Sequence, residues 1–476
     1  MNTTEELTLE LKKVITTDQA WHYRVVPKFS DAVKTEFFID EEADKNSAQQ
    51  ELEMLLGKKI ELVPVSTLTI QKNLAQNYRK NQTELKQKSR QVNSAGDDFI
   101  PNLISEAKEL GSSDIHIEIY EEKCRIRFRI DGLLVERYQI GKANFPALIN
   151  IVKIKANLDI SEKRLPQDGR IIFNYSGHKF DIRVSVLPTL WGEKIVLRIL
   201  SNDSSHIEIS KLGFSELQLK HYLEGIKKPH GIILISGPTG SGKTTSLYAT
   251  LKLLNKNTTN VLTIEDPIEY TLEGINQVQL KESIGLTFAS ALRTFLRQDP
   301  DVIMLGEIRD GETAQMAIRA SLTGHLVLST IHTNSALGTI SRLIDMGIEP
   351  FLIASTINTS VAQRLLRLLC PLCKKEQGFT NDLFPKTFKS EILLKKHFIP
   401  KGCDHCHFTG YKGRKAIYEV IPIDTELAAH IKNNQLALDK ELKERNITRL
   451  SFNAFKLFEN GQTSLDEIYP ILLSDN

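Results

Sequence analysis

One string constrains the fold of this chain more than any other. Gly237-Pro238-Thr239-Gly240-Ser241-Gly242-Lys243-Thr244-Thr245 stands between an apolar run, GIILIS, and a helix-forming run, TTSLYATLKLL. It fits the pattern G-x-x-x-x-G-K-[ST] in the strand–loop–helix setting that gives the pattern meaning. Glycines let successive backbone N–H groups turn inward onto phosphate oxygens, and the following helix offers the positive end of its dipole to the same charge. Lys243 is then expected to reach the β- and γ-phosphates of a bound nucleotide, and the Thr244 hydroxyl to bind Mg²⁺. A chance glycine-rich turn is the competing reading, and the flanking strand and helix count against it.

The surrounding rhythm agrees. After about residue 206, GIILIS, NVLTIE, DVIMLG and HLVLSTIH alternate with TTSLYATLKLL, ASALRTFLR, TAQMAIRASL and PFLIASTINTSVAQRLLRLL, the last four read as helical. That alternation predicts βαβ units around a parallel sheet. A phosphate cradle alone only binds, and hydrolysis also needs acidic groups to hold the metal's water shell and polarise water. DVIMLGEIRD ends a strand in Glu307, with Gly306 where many such ATPases carry an aspartate. IEDPIEY adds Glu265, Asp266 and Glu269 at the same, carboxyl, edge of the predicted sheet. Taken alone, IEDPIEY reads equally well as a charged turn. His325 and His332 close the two ends of the strand in TGHLVLSTIHTNSA. A strand histidine by itself is more often a hydrogen-bonded structural residue than a catalyst, though these two follow Glu307 by one strand.

The 476 residues predict about three domains. Residues 1–80 mix strand-like pieces (HYRVVPKF, KTEFFID, KKIELVPVS) with a helical one, SAQQELEMLLG, and read as a small α+β module. Residues 81–98 are polar and nearly free of apolar side chains, which reads as a linker. Residues 99–205 alternate in strand fashion. Ile115, Ile117 and Ile119 share one face, as do Cys124, Ile126, Phe128 and Ile130, while Arg125, Arg127 and Arg129 take the opposite one. Asp131-Gly132 and Ser176-Gly177 read as hairpin turns. Lys and Arg number 61 against 59 Asp and Glu, a net charge of +2 that argues against an affinity built on a large basic surface for nucleic acid. No stretch is apolar enough for a membrane span, and MNTTEELTLELKK lacks the features of a secretory signal, so a cytoplasmic location is expected.

Four of the five cysteines form two C-x₂-C pairs, Cys370/Cys373 and Cys403/Cys406; Cys124 stands apart. In a reducing compartment, thiolate ligation of a structural Zn²⁺ is favoured over disulfides. The spacing between the pairs exceeds the usual one, so the segment between them must make a longer excursion. Unmetallated thiols, or a mixed site drawing on His405 or His407, are the other readings. From Cys370 to Val420 there are ten Lys plus Arg and five Asp plus Glu, a local +5 that reads either as a solvated surface or as a docking face for acidic lipid heads or a membrane-embedded partner. Residues 421–476 read as helical, with Ser464-x-x-Glu467 as a capping box.

Together these strings resemble the secretion ATPases of the GspE/PulE and pilus-extension family. GPTGSGKTT, TIEDPIEY, DPDVIMLGEIRD and TGHLVLSTIHTNSA are similar to its Walker A, Asp-box, Walker B and His-box, in order. SSDIHIE, RFRIDGLL, EKRLPQDGR, DIRVS and GEKIVLRIL are similar to strings of the family's second N-terminal domain, and residues 22–79, more faintly, to its first. The resemblance implies an α/β RecA-like P-loop NTPase domain (206–476) preceded by a PAS-like α+β domain and a small α+β module. It also implies a Cys₄ zinc insert over 370–410 and a C-terminal helical region over 411–476. A homohexameric motor is implied, peripheral to the inner membrane on its cytoplasmic side, hydrolysing ATP with Mg²⁺ to assemble pilin-like fibres. Its partners would be an inner-membrane platform protein and a membrane-anchored adaptor, with no nucleic acid. By the same resemblance Arg183 and Arg198, with Arg170 a weaker third, close over the nucleotide, and His325 and His332 join Lys243 in the catalytic set. Glu307 and Glu265 both stand as candidates for preparing the attacking water. A nucleic-acid-translocating P-loop ATPase and a nucleotide-dependent scaffold are the alternatives.

Overall fold

The computed structural model describes residues 7, 11, 14–31, 34–78, 90–92, 98–175, 177–200, 208–385, 388, 392 and 394–473. Most of the expected linker over 81–98 lies outside them. The chain divides into two compact units, Met1–Lys86 and Gln87–Asn476.

In the first unit the period-two runs become β1 (Val25–Ser30), β2 (Lys34–Asp40) and β3 (Lys59–Val65), in the order β1-β2-β3. β1 and β2 pair antiparallel, while β2 and β3 are parallel and joined through the helix Lys45–Leu56. Asp44 caps that helix and Gly57, in the left-handed region, ends it. Phe37, Ile39, Ile60, Leu52, Ile70 and Leu74 form the core between sheet and helices.

The second unit opens with β4 (Arg90–Val92), β5 (Asp114–Ile119), β6 (Cys124–Ile130), β7 (Leu133–Ile140), β8 (Gln167–Tyr175), β9 (His178–Thr189) and β10 (Gly192–Leu200). They form one sheet in the order β4-β7-β6-β5-β10-β9-β8, antiparallel except where β4 meets β7. Asp131 and Gly132 both take positive φ, 47° and 86°, at the tip of the β6–β7 hairpin, as a two-residue turn requires. Alternation sends Ile115, Ile117, Ile126 and Phe128 into one core with the helices Phe99–Glu109 and Phe145–Lys155. The other face is charged.

The remaining strands are β11 (Gly231–Ser236), β12 (Val261–Glu265), β13 (Asn276–Gln279), β14 (Val302–Leu305), β15 (Leu326–Ile331), β16 (Ile357–Leu369), β17 (Lys375–Gly378), β18 (Lys396–Ile399) and β19 (Tyr411–Pro422). Seven build a sheet of order β13-β12-β14-β15-β11-β16-β19, and β17 and β18 form a separate hairpin. All neighbours in the large sheet are parallel except β16 and β19. Both faces are covered. Ile232 and Leu234 enter one apolar cluster, whereas Ile233 and Ile235 enter another with Leu247, Tyr248 and Leu251 of the helix Lys243–Leu254. Burial on both sides explains why these strands read as continuous apolar runs.

Three expectations fail. PFLIASTINTSVAQRLLRLL is helical only over Pro350–Thr356; from Ile357 it is β16, with Asn358, Thr359, Ser360 and Gln363 buried. Its leucines carry a helical spacing, but pairing between β11 and β19 outweighs local preference. For the same reason 411–476 is not helical throughout. It begins with β19, and the helices Thr425–Lys432, Asp439–Glu444, Leu450–Glu459 and Leu465–Leu473 follow. Nor does the capping box form, because Glu467 accepts from the Arg367 backbone (3.0 Å) and guanidinium while Ser464 Oγ meets the Tyr411 hydroxyl (2.8 Å).

On the charged face of the β4–β10 sheet, Glu118 is 2% exposed. Arg125 and Arg127 donate to its carboxylate at 2.7–3.0 Å, and Lys194 lies 3.3 Å away. Burial pushes this carboxyl up, but hydrogen bonds and charge from Arg127 and Arg125 outweigh burial and hold it down at about 2, below the usual 4.5. Its ionised form therefore stabilises the fold fully above pH 4.5, and that contribution fades as pH falls towards 2. Urea unfolding measured between about pH 6 and about pH 3 should show this loss, and Glu118→Gln should flatten it while lowering stability at neutral pH.

Candidate nucleotide site and cysteine cluster

β11 delivers the glycine-rich loop to the carboxyl edge of the large sheet, and the loop is shaped by what surrounds it. Gly237 has φ 148°, and a Cβ there would stand 2.5 Å from the Gln363 carbonyl oxygen. Gly240 (φ 81°) and Gly242 (φ 89°) lie in the left-handed region. Pro238, Thr239 and Gly240 are exposed, Ser241 is buried, and Thr244 is exposed at the start of the helix Lys243–Leu254, with Thr245 half-buried behind it. That helix has Gly242 at its N-cap and no side-chain cap, whereas Thr287, Asp310 and Ser335 cap the helices that follow β13, β14 and β15. The Ser241 hydroxyl is buried without a partner. Uncapped N–H groups, an unpartnered hydroxyl and a backbone too crowded at Gly237 for a side chain fit an anion with several oxygens. Lys243 Nζ folds back onto the carbonyls of Gly237 (2.7 Å) and Pro238 (3.1 Å). Burial lowers its pKa below the usual lysine range, and the charge of Glu307 opposes that.

A clasp that sequence reasoning missed holds the loop from below. Gln363 of β16 donates to the Ser241 carbonyl (2.9 Å) and accepts from the Ser246 hydroxyl (2.9 Å). Its neighbour Arg364 donates to the carbonyls of Gln363 (3.0 Å) and Asn334 (2.8 Å). Both residues sit in the segment read as helical, so nothing in the string pointed to them.

The two carboxylates occupy different surroundings. Glu265, at the end of β12, is 3% exposed. Thr263 Oγ1 (2.6 Å) and Gln277 Nε2 (3.0 Å) donate to one of its oxygens, and the Tyr248 hydroxyl donates to the other. Glu307, just beyond β14, lies more open, its side chain 17% exposed. Arg309 donates to one oxygen (2.6 Å) and also reaches Asp266 (3.2 Å), while His332 Nε2 lies 3.0 Å from the other. His325 sits at the opposite, amino edge of the sheet, before β15, with Nδ1 near the Ala320 carbonyl (2.8 Å) and the Thr323 hydroxyl (3.1 Å). Within this chain His332 meets Glu307 and His325 does not.

Arg170, Arg183 and Arg198 stand directly opposite one another on β8, β9 and β10. Like charges so placed repel, and carboxylates separate them: Asp181 takes Arg170 (2.8 Å) and Asp114 takes Arg198 (2.9 Å). Arg183 alone of the three crosses to the large-sheet lobe, donating to the Ile268 carbonyl and lying 3.7 Å from the Glu269 carboxylate. A second contact joins the lobes where Asp131 accepts from the Gly413 N–H (2.8 Å).

Cys370, Cys373, Cys403 and Cys406 present sulfurs all within 4.8 Å of one another. Three of the separations are 3.7–3.8 Å, the edge of a tetrahedron with metal–sulfur distances of about 2.3 Å. His405 and His407 are not in this group. The Cys403 and Gly410 N–H groups point at Cys406 Sγ, each at 3.2 Å, as second-layer donors to a ligating sulfur do. The excursion between the pairs is the β17–β18 hairpin with its flanks.

The family described as Type II/IV secretion system protein matches residues 69–470. Among curated relatives, a type IV pilus assembly ATPase PilB of Myxococcus xanthus is 47% identical over 375 residues, covering 77% of this chain and 66% of that protein. A type II secretion system ATPase E of Vibrio cholerae is 40% identical over 441 residues, covering 86% and 87%. Among solved structures, the pilus retraction motor PilT with bound ADP aligns with a TM-score of 0.56 at 27% identity, over 79% of this chain and 97% of that one. The Legionella pneumophila ATPase DotB aligns at 0.62 over 82% and 100%; at 22% identity it speaks for the fold alone. The nucleic-acid-translocating alternative draws no support from these likenesses. A secondary-structure order built round one phosphate loop, the site at its sheet edge and these relatives agree: the chain belongs to the type II/IV secretion system protein family and is an ATPase of it.

Proposed function

We propose that this ATPase is a homohexameric motor at the cytoplasmic face of the inner membrane, driving assembly of a type II secretion pseudopilus or a type IV pilus. Its partners in this reading are an inner-membrane platform protein and a membrane-anchored adaptor, and its contact with the membrane is peripheral. Among the described residues no helix is long and apolar enough to cross a membrane. One observation carries the reading: an uncapped phosphate loop and two differently held carboxylates share one sheet edge, and an arginine of the preceding domain reaches the acidic segment beside them.

In this scheme the loop N–H groups and Lys243 hold the phosphates, and Lys243 exchanges its two carbonyl partners for phosphate oxygens. Thr244 would supply a hydroxyl ligand to Mg²⁺, which when bound would offset the negative charge that develops on the phosphates. Glu307 is the carboxylate that takes the proton of the attacking water. Its greater exposure supports this role, and His332 Nε2, donating to it, fixes its orientation. Arg309 must release one Glu307 oxygen for that step, and Asp266 is placed to keep it. Glu265, buried among three donors, would take the second carboxylate role and order the water shell of a bound metal. Arg183, followed by Arg198, closes over the γ-phosphate as the lobes approach, its planar fork matching the oxygens. The four cysteines hold a structural Zn²⁺.

Lys243→Ala should lower ATP turnover by on the order of 10²-fold or more in a phosphate-release assay, and retained turnover would sink the site. Glu307→Gln should lose kcat while fluorescent-nucleotide titration shows affinity within about threefold; Glu265→Gln retaining nucleotide but losing kcat equally would leave the division of roles unsupported. The zinc reading is tested by elemental analysis: about one zinc per chain, falling to a small fraction in Cys403→Ser, is expected, and unchanged metal refutes Cys₄ ligation.

A further inference from the structure

Tyr248 stands five residues after Lys243 on the helix that begins at the phosphate loop, fully buried in the apolar cluster beneath the sheet. Packing asks only for its ring, which meets Tyr270 edge-on at 4.6 Å. A phenylalanine would serve that purpose, and a buried hydroxyl costs stability unless it is used. Here it is used entirely by the acidic segment. The hydroxyl donates to Glu265, accepts from the Glu269 N–H (3.3 Å) and has Gln277 Nε2 at 3.5 Å. Gln277 in turn donates to Glu265 and accepts from the Leu272 N–H (2.7 Å), and Gln279 accepts from the Ile268 N–H (3.0 Å). Onto this segment, at the Ile268 carbonyl and the Glu269 carboxylate, Arg183 arrives from the preceding domain. One oxygen atom therefore joins the phosphate-loop helix, the buried carboxylate and the landing place of the arginine.

We infer that the Tyr248 hydroxyl is a positioning group for ATP hydrolysis, holding the Glu265 carboxylate and the Ile268–Glu269 backbone in the arrangement that receives Arg183. The inference rests on the ATPase reading of the site. Burial, and after it the charge of Glu265, push the phenol above its ordinary range, so the group remains a donor throughout neutral pH. Tyr248 touches no reacting atom in this scheme and acts through Glu265 and Arg183.

The test is steady-state kinetics on the full chain. Tyr248→Phe keeps the ring and should lower kcat about tenfold or more, with the KM for Mg-ATP within about threefold. The melting temperature should fall by a few degrees as a buried Glu265 oxygen and the Glu269 N–H lose this partner, so the readout is the split between kcat and KM: a merely structural role would lower the melting temperature and leave kcat unchanged. The decisive comparison is Tyr248→Phe placed on Glu265→Gln: no further loss of kcat is expected if the hydroxyl works through that carboxylate. Full kcat in Tyr248→Phe, or a loss that multiplies with that of Glu265→Gln, overturns the inference. Should Tyr248→Phe fail to fold, Thr263→Val removes another donor from the same carboxylate and is read in the same way. Lys243→Ala separates the two levels. Hydrolysis retained there overturns the ATPase reading, whereas hydrolysis lost there but intact in Tyr248→Phe overturns the positioning role alone.

Discussion

Everything at the site depends on how tightly the turn after β11 is wedged against β16. There is no volume for a side chain at Gly237, because the backbone of Gln363 already fills it. The Gln363 amide then ties the far side of the loop to the first turn of the helix through Ser241 and Ser246. An amide that donates on one side and accepts on the other, in a buried place, makes this clasp stiff, since each group left unpaired there would cost about 1–3 kcal/mol. The loop is thus pre-shaped before any phosphate arrives, and less ordering remains to be done on binding.

The sheet edge converts that rigidity into chemistry. β12 and β14 end side by side, so Glu265 and Glu307 emerge on neighbouring strands with opposite treatments. One is sealed among neutral donors; the other shares its oxygens between a guanidinium and an imidazole. Two carboxylates in unlike surroundings can take unlike tasks, and the difference is set by second-layer residues rather than by the acids themselves. The net charge of +2 is the sum of such local pairings, including the arginine row of β8–β10 with its interposed aspartates.

The α/β class, the phosphate loop and the acidic runs were legible because each has a strong local signature: a period, a glycine pattern, a carboxylate at a strand end. The cysteine cluster was legible from its two C-x₂-C pairs, although their unusual separation left unmetallated thiols or a mixed site with His405 or His407 open. β16 was not. Its string carries a helical leucine spacing, and only the two strands on either side of it, distant in sequence, decide otherwise. Gln363, Arg364 and Tyr248 were lost with that kind of information, for an amide or a phenol inside an apolar run has no signature until its partner is known. The reach of Arg183 is legible only as far as strand alternation goes, which puts Arg170, Arg183 and Arg198 on one face and cannot say which of them crosses to the other lobe.

The cysteine cluster sits where β16 stops at Leu369 and β19 resumes at Tyr411, and the Cys370 N–H donates to the Gly410 carbonyl at 2.9 Å. The two ends of the excursion are therefore fastened together at its neck. The excursion still contributes to the body of the lobe, for Phe379 and Phe384 are buried in its core against Phe455 and Phe458. With the neck closed, lengthening the segment costs only about 0.6 kcal/mol of closure entropy per doubling as long as those two rings keep their places. The register of β16, and with it Gln363 under the phosphate loop, then answers to two rings and a neck rather than to the whole side segment.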